Sequence, residues 1–133
     1  MPYLVVSHPT MGPVASSVRM ASRFGDKLLG LMGAKDLGPG EGMLFEHTNA
    51  VHGCFTCESL TLVYLNRQQI ILEITTLRPW RMGPIVPRAY WVLELSIRTT
   101  LTGVHPGDTL TWVSQPAQTR PEGREFRIKP SKR

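Results

Sequence analysis

The sequence predicts a β-rich α+β fold with one or two short helices. Three observations predict it. Short runs rich in Val, Ile, Leu, Tyr and Trp recur along the chain, separated by turns bearing Gly and Pro. Only the stretch 23–32 carries the spacing of a helical face. The length of 133 residues and the 41% apolar content suit one domain with one core.

In order, YLVVS (3–7) is a short β-branched run broken by Pro9, Gly12 and Pro13, and VASSVRMA (14–21) resumes with partial alternation. Ser22 is placed to cap a helix in which Phe24, Leu28, Leu31 and Met32 share a face and Gly33 marks the stop. Gly25 and Gly30 weaken that helix by about 1 kcal/mol each, so it depends on tertiary packing. LGPGEG (37–42) is a turn-rich connector. MLFEH (43–47) and VHGCF (51–55) follow as strands, and LTLVYLN (60–66) and IILEITTL (70–77) form a hairpin across the polar link NRQQ. PWRMGPIVP (79–87) is a loop with apolar character. AYWVLELS (89–96) is a strand with Trp91, Leu93 and Leu95 on one face and Tyr90, Val92 and Glu94 on the other. A helical turn is expected between Ile97 and Gly103, then an HPGD turn at 105–108 and a last strand, TLTWV (109–113).

The net charge of +5 is unevenly placed. Residues 1–114, the expected globular domain, carry nine Lys/Arg against eight Asp/Glu; residues 115–133 carry six against two and three prolines. The tail is expected to be mobile and to attract polyanions weakly, in a salt-sensitive way. The near-neutral body gives no electrostatic reason for a nucleic-acid face. No apolar run approaches the roughly 20 residues that span a bilayer. The first residues, MPYLVVSHPT, lack a basic region, so a cytoplasmic protein with reduced thiols is expected.

The serial order KLLGLMG, GEGMLFEH, VHGCF, LTLVYLN, LRPW, AYWVLEL and GVHPGDTL resembles the family known as domain of unknown function 192, over about residues 14–113. The resemblance implies a small α+β domain built on a β-rich, compact, barrel-like sheet with short helices, and it brings no catalytic residues with it. Against the family pattern, Lys27 replaces an arginine, and Thr61 and Asn66 stand where carboxylates are usual. Two acids that could have joined a shared polar site are therefore missing.

The stretch VHGCFTCES (51–59) holds the only two cysteines. As a strand it puts His52 and Cys54 on one face and Cys57 on the other, and residues three apart lie about 10 Å from each other, too far for a disulfide. Redox CxxC pairs sit at helix N-termini, whereas SLTLVYL, which follows, is strand-forming. Zinc accepts mixed nitrogen and sulfur donors, so His47, His52, Cys54 and Cys57 are a metal alternative, but H-x4-H-x-C-x2-C matches no knuckle spacing. Otherwise His47 and His52 sit half-exposed near a sheet edge. Glu58, Glu73 and Glu94 lie in or beside strands and need partners if buried, with Lys27, Arg78, Arg81 and Arg88 available. GxSxG, GxGxxG and the phosphate-cradling GK[ST] are all absent.

These observations favour a non-catalytic binding module for a small molecule or protein, without a cofactor. Its expected site is the surface near Lys27, His52, Trp80 and Glu94. The alternative is a metal-dependent or hydrolytic enzyme using the His/Cys cluster.

Overall fold

The computed structural model describes residues 3–21, 37–50, 59–79 and 81–115. These residues form seven strands: β1 (Tyr3–His8), β2 (Gly12–Ala21), β3 (Glu41–Glu46), β4 (Leu60–Leu65), β5 (Ile71–Leu77), β6 (Trp91–Ser96) and β7 (Thr111–Gln115). They build one sheet in the order β5-β4-β6-β3-β2-β1-β7. All neighbours are antiparallel except β2 and β3, which run parallel. A parallel pair cannot be joined by a tight turn, and the chain between Ala21 and Glu41 supplies the long return.

The central strands are apolar on both faces, as burial on both sides requires. β4 reads LTLVYL and β6 WVLELS, each with almost every residue buried. β1 alternates half-buried and buried positions, and β7, at the edge, is largely exposed. The alternation divides the core in two. Leu44, Val63, Leu93 and Leu95 look into a larger cluster with Val6, Val18 and Leu110, while Phe45, Leu62, Tyr64 and Val92 look into a smaller one. Each fully buried leucine contributes about 1.5–3 kcal/mol from burial. Gly42 is needed for the close approach of β3 to β6, because a Cβ there would collide with the carbonyl oxygen of Glu94.

Two expectations need correction. The sheet is not a closed barrel: β5 and β7 form no ladder, and their approaches meet through the single bridge Ile70–Thr109, with the Leu110 N–H donating to the Gln69 carbonyl. The last strand accordingly starts at Thr111, two residues later than expected, since Thr109 and Leu110 serve that bridge before the chain turns to pair with β1. Nor is any helix present among the described residues. The stretch 97–103 forms turns closed by Thr99 N–H to Ser96 O and Val104 N–H to Leu101 O. The helix expected over 23–32, the strand over 51–55 and the tail beyond Gln115 lie outside the described residues. Among the described residues no helix is long and apolar enough to cross a membrane.

Candidate functional site

Glu94 stands in the middle of β6, and its neighbours across the sheet are Met43 on β3 and Leu62 on β4. Alternation turns it toward the smaller cluster, with Val92. The side chain is fully buried. Neither carboxyl oxygen has a hydrogen-bond partner among the described residues. Loss of water penalises the ionised form, and burial pushes the carboxyl up to about 8 from its ordinary value of 4.5. At neutral pH it is an uncharged acid, able to donate one hydrogen bond and accept others.

Of the partners available in sequence, the three described ones do not reach it. Arg78, Arg81 and Arg88 are all exposed. Glu73, on β5, faces Tyr64 in the ladder. The Tyr64 hydroxyl is pushed up to about 12, first by burial and then by the nearby Glu73 charge, and it donates to the Pro84 carbonyl at 2.8 Å. That bond ties the loop after Arg81 to the sheet. Val86 packs against the smaller cluster, while Met82 and Ile85 remain exposed. Of the site expected from sequence, Glu94 is described, and Lys27, His52 and Trp80 lie outside the described residues, as do Cys54, Cys57 and Glu58.

His47, the described member of the expected metal set, is exposed at the end of β3, an interior strand of the sheet rather than an edge. Its ring packs on Tyr90 with centroids 5.1 Å apart. Among the described residues no group of three His, Cys, Asp or Glu side chains could hold a metal. His47 instead borders an open cleft of about 580 Å³ together with Arg67, Arg88 and Tyr90. Sequence reasoning missed this cleft, although an arginine in a four-residue link and a tyrosine at the start of a strand were both visible.

A third candidate, His8 with Asp108, is structural. His8 Nδ1 accepts from the Thr10 and Met11 N–H groups at 3.0 and 3.1 Å, which places the proton on Nε2, donated to Asp108 Oδ2 at 2.8 Å. Both ring nitrogens are committed, so none is left to act as a base. Asp108 also accepts from the His105 N–H, and His8 foremost, then that N–H, holds its carboxyl below the usual range. The arrangement fastens the turn after β1 to the turn before β7.

Three comparisons place the chain among known proteins. A UPF0127 protein of Pyrococcus horikoshii is 32% identical over 103 residues, spanning 71% of this chain and 86% of the relative. A UPF0127 protein of Pyrococcus abyssi is 29% identical over 84 residues, 57% and 71% of the two chains. A crystal structure of a protein of unknown function from Novosphingobium aromaticivorans matches with a TM-score of 0.66 at 23% identity, over 84% of each chain, and so shares the fold. The sequence model of the family DUF192, described as "Uncharacterized ACR", matches residues 6–112, nearly the whole sheet, and the chain belongs to that family.

Proposed function

We propose that the protein is a ligand-binding module whose site centres on Glu94, with Lys27, His52 and Trp80 as the other members. The observation that carries this reading is a fully buried carboxyl with both oxygens unpartnered among the described residues. An unpaired polar group in an apolar interior costs several kcal/mol in transfer terms, and a leucine would fill a strand centre at no such cost. Such violations of packing concentrate where a protein binds something. A ligand that donates hydrogen bonds to the carboxyl would offset the cost, and an ammonium or guanidinium group would also ionise it. The enzyme alternative rests on His47, whose ring packs on Tyr90, and on His52, Cys54 and Cys57, which lie outside the described residues. A cytoplasmic location, a domain ending near residue 114 and a mobile basic tail belong to the same proposal.

The test is a heteronuclear NMR titration of the full chain with ethylammonium and guanidinium chlorides at pH 8. Saturable shifts at the amides of Met43, Leu62 and Glu94, lost in Glu94→Gln, are expected. Binding of a cation must release the Glu94 proton, so affinity should rise about tenfold per pH unit below the carboxyl's own midpoint. Lys27→Gln is the second variant. An unchanged Glu94 midpoint leaves the cation's place to a ligand; a raised one makes Lys27 the partner and overturns the reading. Absence of shifts at those three amides for both probes also overturns it.

A further inference from the structure

We propose that the cleft at the His47 end of the sheet is a second binding site, for a small phosphate monoester carrying a planar ring. Three segments wall it: 47–49 after β3, 66–68 after β4 and 87–90 before β6. Among the described residues its lining includes Arg67, Arg88 and His47 but no Asp or Glu, although acids and bases nearly balance in residues 1–114. Both arginines are exposed, and neither has an ion pair or hydrogen bond among the described residues. The Arg67 guanidinium instead lies over the Tyr90 ring, 4.4 Å from its centroid. The acid at the end of β3, Glu46, is engaged, since the Tyr90 hydroxyl donates to its Oε2 at 2.9 Å.

The walls are fixed before any ligand arrives. Asn66 Oδ1 accepts from the Gln68 and Ile70 N–H groups, holding the turn that carries Arg67. Tyr90 N–H donates to Leu65 O at 2.7 Å, Thr48 N–H to Tyr90 O and Val86 N–H to Asn49 O at 3.0 Å, which joins all three segments. His47 holds a left-handed backbone, φ 58°, unusual for a residue with a Cβ, and its ring lies against Tyr90. Two forked guanidinium groups suit the oxygens of a phosphate, and their flat faces stack on aromatic rings. A volume of about 580 Å³ exceeds what a bare phosphate fills, which calls for the ring. Tyr90 is four residues from Glu94, about 13 Å along an extended chain, so the cleft is distinct from the Glu94 carboxyl.

The experiment titrates the full chain with phenyl phosphate, and in parallel with inorganic phosphate, following backbone amides by NMR. Phenyl phosphate should shift residues 47–49, 66–68 and 88–90 saturably and bind more tightly than inorganic phosphate. Arg67→Ala with Arg88→Ala should weaken it about tenfold or more at an unchanged thermal midpoint. Glu94→Gln should leave it unaffected, which separates this site from the one proposed above. Shifts confined to 116–133 would mean that the basic tail collects the anion, and equal affinity in the double variant would mean that the arginines do not bind it. Either result overturns the proposal.

Discussion

The two faces of β6 are equally buried and do different work. Leu93 and Leu95 enter the larger cluster of apolar side chains, where burial itself is the stabilising term. Val92 and Glu94 look the other way, and there the flanking Met43 and Leu62 make burial oppose the charged form of one residue. The first face is accounted for by folding alone. The second keeps a group that folding would be better without.

The largest expected effect lies on the apolar face. Leu93→Ala should destabilise the protein by about 2–5 kcal/mol in urea denaturation, because the sealed cluster cannot fill the space. A midpoint like that of the parent chain would show that the two faces do not differ as described.

Glu94→Gln should do the reverse. The folded chain keeps the Glu94 proton up to about pH 8, while the unfolded chain gives it up near 4.5. Between those values this group makes stability fall as pH rises, by at most about 1.4 kcal/mol per unit. The glutamine variant escapes that fall, so the gap should widen in its favour across the window and stop changing above it. A gap independent of pH would show that Glu94 is not held as a buried neutral acid.

Asp108 carries the opposite sign. Its carboxyl is held low by His8 and the His105 N–H, so its contribution is present above the ordinary value of 3.8 and is lost as pH falls through the lowered one. Asp108→Asn should be less stable than the parent at pH 6, with the deficit shrinking in acid. A deficit that persists undiminished in acid would show that the carboxylate charge is not the cause. Smallest of all, Val113→Thr on the exposed edge strand, where the side chain is 61% exposed, should stay within about 0.5 kcal/mol of neutral by thermal unfolding.

Much of the sheet was legible because strand signals are local. The runs at 3–7, 60–66, 70–77 and 89–96 became β1, β4, β5 and β6 with small changes at their ends, and the split of Leu93 from Glu94 across two faces followed from alternation alone. The parallel pairing of β2 with β3 and the open sheet were not legible, since both depend on which distant strands meet. Glu94 was legible as an acid among apolar strand residues. Its lack of a partner among the described residues was not, because Arg78, Arg81 and Arg88 were near in sequence and only the fold turns them outward. The Arg67–Tyr90 cleft escaped notice for a related reason: its three walls are ordinary polar connectors that become a site only when joined.

The state of one carboxyl group decides whether the proposed site exists, and carbon-13 NMR can follow it. The Glu94 side-chain carboxyl, assigned by its absence in Glu94→Gln, should titrate with a midpoint near 8 in the folded chain. A midpoint at or below 4.5 would mean a solvated or ion-paired glutamate, and the buried unpartnered acid on which the proposed site depends would not exist.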